Sequence, residues 1–124
     1  MSQMTFEPDP KRVEHARRVT GAHLKRFGVD PDAIETVRLL ASEIVTNAVI
    51  HGKGESVTFT LIFHPHGEVR IEVDDHSPGS PVVRDPGPDE EGGRGLRLVD
   101  FLSRDWGRTG TCTWCVVPVN VVSA

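Results

Sequence analysis

Glu43, Asn47 and His51 stand at i, i+4 and i+8 in a stretch patterned as a helix. At about 100° per residue they drift by only about 80°, so they share one edge. A carboxylate there can take a proton, and the Asn47 amide offers a neutral oxygen to a hard cation. The neighbours Ile44, Val45, Ala48 and Val49 are apolar, which makes the surroundings half dry. A second stretch, Asp74-Asp75-His76-Ser77-Pro78-Gly79, sets a carboxylate ahead of small, turn-forming residues. Asp75 can accept a hydrogen bond from an exocyclic amine such as that of adenine, while a flat ligand lies close to the backbone. The third, Gly93-Arg94-Gly95-Leu96, opens an amphipathic segment with glycines, and free amides at a helix start suit a phosphate. Taken singly, each has an ordinary alternative: a solvated helix face, a surface turn, a plain helix start.

The elements that must position these residues are legible from their patterns. Residues 30–52 read as one long helix, with Asp30 as N-cap, Pro31 at the first helical position and Asp32 complementing the dipole. Gly52 is expected to close it in the left-handed conformation. Ile34, Val37, Ala41, Ile44, Val45 and Ala48 form its buried stripe. Before it, residues 3–7 suggest a short edge strand, and residues 12–27 a first helix with Val13, Ala16, Val19, Leu24 and Phe27 as core contacts. The other face of that helix is basic (Lys11, Arg12, Arg17, Arg18, Lys25, Arg26), either a solvated face or a docking surface for an acidic partner. Residues 56–63 and 68–73 alternate as two strands of a hairpin around His64-Pro65-His66-Gly67, and residues 105–108 and 111–117 form a final strand pair. Residues 80–92 carry three prolines, two glycines and four acids between Ser80 and Gly92, which suits a loop and no regular element.

The totals narrow the function classes. A chain of 124 residues is expected to form a single domain, 1–124. A net charge of −4 gives no electrostatic reason to expect nucleic acid or an anionic membrane as partner. No apolar run approaches the roughly 20 residues of a membrane span, and the N-terminus lacks the regions of a signal peptide, so a cytoplasmic location is the default expectation. Cys112 and Cys115 make a C-x-x-C, but inside a strand residues three apart point to opposite faces, which favours packing over redox or metal chemistry.

The order of the three stretches is more specific than any one of them. Glu43-x-x-x-Asn47 on a helix, Asp75-x-Ser77-x-Gly79 after a strand and Gly93-x-Gly95-Leu96 behind a long loop resemble the N box and the two glycine boxes of the Bergerat-fold (GHKL) ATPases. That family includes histidine kinases and DNA gyrase. The resemblance runs over residues 12–117 and is nearest to the small anti-sigma-factor serine kinases and related ATP-binding regulators of actinobacteria.

The resemblance implies an α+β fold: a two-layer α/β sandwich with a mixed, mostly antiparallel sheet, helices on one face and a lid at about residues 79–92. It implies ATP and Mg2+ as cofactors. Glu43 would be the general base and Asn47 the magnesium ligand. His51, Asp75, Ser77, Gly79, Gly93, Arg94, Gly95 and Leu96 would bind the nucleotide, with Asp75 on the adenine amine and the 93–96 segment around the phosphates. Read through Asp75 alone, GTP is disfavoured, because guanine carries a carbonyl where adenine carries its amine. The implied activity is that of a protein serine/threonine kinase, with a sigma factor and an antagonist protein as partners and a homodimer as the assembly. The alternative is a nucleotide-gated binding module with weak or no catalysis. Two departures bear on the choice: Ser77 replaces the first glycine of its box, and Gly110-Thr111-Cys112-Thr113-Trp114 lacks the lysine that relatives carry there.

Overall fold

The computed structural model describes residues 1–77 and 93–122, apart from the side chains of residues 93 and 94. Five strands and three helices follow in the order β1 (Ser2–Phe6), α1 (Lys11–Arg26), α2 (Pro31–His51), β2 (Val57–His64), β3 (Glu68–Asp74), α3 (Gly93–Leu102), β4 (Asp105–Thr109) and β5 (Cys112–Pro118). The strands form one sheet ordered β1-β2-β3-β5-β4, and every pairing is antiparallel. The parallel component expected of a mixed sheet is therefore absent among the described strands. The expected lid, residues 79–92, lies outside the described residues, Gly79 included.

Alternation assigns the two faces of the sheet. Val57, Phe59, Leu61, Val69, Ile71, Val73, Cys115 and Val117 point inward and are buried. The helices cover that face. Val37, Leu40, Ala41, Ile44, Val45 and Ala48 of α2 complete the core together with Ala16 and Leu24 of α1 and Val99 of α3. Ile34 is only partly buried, and Leu40, absent from the sequence-derived stripe, is fully buried. On the opposite face Arg70 pairs with Glu72 at 2.7 Å and lies 4.6 Å from the centre of a Trp114 ring. The two cysteines behave as strand residues: Cys115 is in the core and half-buried Cys112 is on the other face.

The helix ends follow local chemistry, with two corrections. The Asp30 side chain accepts from the Ala33 amide at 3.3 Å and caps α2. Gly28, at φ +72°, ends α1, and the amides of Phe27, Gly28 and Val29 return to the carbonyls of Leu24 and Lys25. Phe27 is not a core residue: it is 47 % exposed and stacks on Phe63 with ring centroids 4.8 Å apart. The buried position on that side of α1 is Thr20 instead, whose hydroxyl donates to the Ala16 carbonyl at 2.8 Å. Gly52 also departs from expectation, adopting an extended conformation (φ −68°, ψ 143°) rather than the left-handed one. Its glycine requirement is steric: a Cβ there would fall 2.3 Å from the Ala48 carbonyl oxygen and 3.0 Å from Asp75 Cβ.

Candidate functional site

Helix α2 carries the site along its length. Near its middle, half-buried Glu43 faces the first turn of α3, where a Cβ on Gly95 would meet Glu43 Oε2 at 2.6 Å. Only glycine leaves room for the carboxylate there. The start of α3 also carries the positive end of the helix dipole, which favours negative charge. Asn47, one turn further along the same edge, is likewise half-buried. Nine residues beyond Glu43, about 13 Å along the helix axis, Gly52 packs against Asp75. The next glycine, Gly54, lies against the backbone that leaves β3, where a Cβ would fall 2.4 Å from the Asp75 carbonyl oxygen. One helix thus has Glu43 against α3 and Asp75 packed at its C-terminal end.

The turn after β3 is built from two successive Asx turns. Asp74 Oδ1 accepts from the His76 amide at 2.9 Å, and Asp75 Oδ1 accepts from the Ser77 amide at 3.0 Å. The left-handed residue this requires is His76, at φ 51°, so serine at position 77 carries no backbone penalty. The Ser77 hydroxyl in turn accepts from the Lys53 amide at 3.0 Å, tying the turn to the end of α2. Asp74 is held by a 2.6 Å hydrogen bond from the Thr111 hydroxyl. Burial acts to raise its pKa, but the Thr111 hydroxyl, the His76 amide and the charges of His76 and Arg108 outweigh it and hold it below the usual value.

Asp75 is nearly buried and has a partner that motif reasoning does not reveal. Arg108 Nη2 donates to Asp75 Oδ2 at 3.0 Å, and Nη1 donates to Thr113 Oγ1 at 2.9 Å. The Asp75 and Arg108 side chains are 8 % and 24 % exposed, so water screens the pair only partly. A signal for it exists in the sequence: Arg108 alternates with Trp106 on β4, and a cation at an inward strand position needs a partner. The Asp75 amide also donates to the Thr111 carbonyl at 3.1 Å, so the β4–β5 turn and the turn after β3 are one unit.

Of the residues singled out from the sequence, Glu43 and Gly95 are in contact, and Asp75 and Ser77 are joined to the end of α2. Leu96 is half-buried in the first turn of α3, whereas His51 is exposed at the last turn of α2. Gly93 opens α3, while Gly79 and the Arg94 side chain lie outside the described residues. Among the described residues, no group of three or more His, Cys, Asp or Glu is arranged to hold a metal ion by itself, and no helix is long and apolar enough to cross a membrane.

A helix layer on an antiparallel sheet, with Glu43 against the glycine-opened α3 and a buried aspartate at a strand end, makes a two-layer α/β sandwich. The chain belongs to the histidine kinase-like ATPase domain family, whose sequence profile matches residues 6–117. ATP binding comes with that membership. The chain is also similar to an uncharacterized protein of Streptomyces coelicolor, 37 % identical over 70 residues. That match spans 53 % of this chain and 66 % of the other, just under two thirds of its length.

Proposed function

We propose that this protein is an ATP-dependent serine/threonine protein kinase of the anti-sigma type, acting on a serine of a small antagonist protein. The observation that carries the reading is the contact of Glu43 with Gly95, one helical turn from Asn47. A carboxylate held against the start of α3 is next to the free amides that favour a phosphate. In this reading it takes the proton of an attacking hydroxyl. Asn47 offers its side-chain oxygen to a magnesium ion that nucleotide phosphates would also coordinate, which suits a metal that binds few protein ligands. Bound ATP with magnesium supplies the γ-phosphoryl group and neutralises its charge. At the other end of α2, Asp75 accepts the hydrogen bond of the base, and the Gly52 and Gly54 contacts keep the backbone close around it.

A nucleotide-gated module without catalysis is the second reading, and two observations favour it. Arg108 already engages Asp75, and Thr111 occupies the place of the lysine found in relatives. In either reading the chain is a regulator with protein partners. A sigma factor and an antagonist are the proposed ones, in the cytoplasm and with a homodimer as the working assembly.

Glu43→Gln separates the two. It keeps the shape and removes the base, so a kinase should bind ATP nearly as well as before yet transfer phosphate at least about a hundredfold more slowly. The assay uses antagonist co-purified from the native host. Equal transfer by both forms removes Glu43 from the mechanism. No transfer by the wild type, with ATP still altering the complex, establishes the module.

A further inference from the structure

The pairing of Arg108 with Asp75 changes what the base end of the site can read. Asp75 presents two acceptor oxygens, Oδ1 anchored by the Ser77 amide and Oδ2 by Arg108. Arg108 is fixed at its other terminal nitrogen by Thr113, its partner across the β4–β5 ladder. The guanidinium is therefore a positioned part of the site. A guanidinium carries five N–H donors, of which these bonds engage two, and each carboxylate oxygen can accept a second bond. Taken in order, Arg108 Nη2, Asp75 Oδ2 and Asp75 Oδ1 offer donor, acceptor, acceptor.

That order is the complement of the guanine Watson–Crick edge, which runs acceptor (O6), donor (N1–H), donor (N2–H). Adenine can use the same group through its amine on the carboxylate and its N1 on the guanidinium, filling two of the three positions. A lone carboxylate would repel guanine O6, whereas an arginine donor beside it removes that objection. We propose that Arg108 is a base-reading residue and that the site takes guanine nucleotides as well as adenine nucleotides. This rests on the nucleotide-binding reading given above, and it removes the preference against GTP expected from Asp75 alone.

The test is equilibrium binding of ATP and of GTP, each with magnesium, to the full chain and to Arg108→Met and Arg108→Lys, by titration calorimetry. The wild type should bind GTP within about tenfold of ATP. Removing a charged hydrogen bond to O6 should weaken GTP by on the order of ten- to a hundredfold in Arg108→Met, with a smaller loss for ATP. Arg108→Lys, which keeps a cationic donor, should recover most of the GTP affinity. If Arg108→Met does not fold, the wild-type ratio and the lysine variant decide. ATP binding with GTP weaker by more than tenfold overturns the base inference and leaves the nucleotide reading standing. Equal losses of both nucleotides in Arg108→Met also overturn it. Binding of neither nucleotide overturns both.

Discussion

At the scale of single residues, the turn after β3 is held by charges and hydroxyls whose contributions depend on pH. Asp74 has its pKa lowered from 3.8, because the Thr111 hydroxyl, the His76 amide and nearby positive charge outweigh the opposing effect of burial. A depressed carboxylate stabilises the fold above its unfolded value, and that contribution disappears as pH falls through the folded value. Thr111→Val should therefore lower the melting temperature near pH 7, and the gap to wild type should narrow as pH falls below about 3.8. Melts across pH 2.5–7 check this; a gap independent of pH would mean that the hydroxyl does not act through Asp74. Much at this scale is readable from the chain alone. Glu43, Asn47 and Asp75 stand out by residue type and spacing. Arg108 does not, because its meaning depends on a partner 33 positions away that only the sheet brings near. His76 is equally hidden: positive φ is not written in a histidine.

At the scale of elements, two glycines that pack against candidate site residues constrain them in different ways. A Cβ on Gly95 would meet only the end of the flexible Glu43 side chain, at 2.6 Å. A Cβ on Gly52 would meet the Ala48 carbonyl, which is backbone and cannot swing away, at 2.3 Å. Gly95→Ala should thus cost little stability but displace the carboxylate and impair phosphate transfer. Gly52→Ala should cost about 1–3 kcal/mol, the range for forced overpacking. Urea unfolding of both variants, with ATP binding measured alongside, distinguishes the two; equal stability losses would contradict the assignment of Gly95 to the site. The elements themselves are largely legible, since 3.6- and 2-residue periods are printed in the chain. The conformation of Gly52 is not, because a glycine after a helix serves equally for a left-handed turn or for a close approach. Phe27 misleads for a related reason: helical spacing marks an apolar residue as facing inward but not whether anything covers it, and Phe63 covers only part of it.

At the scale of the molecule, α2 has three sequence-distant stretches packed along it: Gly95 of α3 meets Glu43, and Asp75 and Ser77 meet its C-terminal end. The order of those stretches points to the fold and the family, because each box has a fixed place relative to the strands around it. Pairing within the sheet is less legible: alternation identifies strands but does not order them, and the β3–β5 adjacency that carries Arg108 and Thr113 to Asp75 is a crossover in the strand order β1-β2-β3-β5-β4. The exposed basic residues of α1, Lys11, Arg12, Arg18, Lys25 and Arg26, stand on a chain of net charge −4. Their surface is available to an acidic partner or to solvent.

On the proposed reading, α2 holds ATP with magnesium between Asp75 and Glu43, with Asn47 on the metal. Thermal unfolding of the wild type and of Asn47→Ala, with and without millimolar ATP and magnesium, tests it most directly. Binding to the folded state alone stabilises by roughly 2.7 kcal/mol at a hundredfold excess over the dissociation constant. The wild-type melting temperature should therefore rise by several degrees, about 4–8 °C per kcal/mol for a domain of up to about 100 residues and somewhat less for a longer one. Asn47→Ala should lose most of the rise while melting close to wild type without nucleotide. A wild-type melt unmoved by millimolar ATP with magnesium would rule out nucleotide binding at α2.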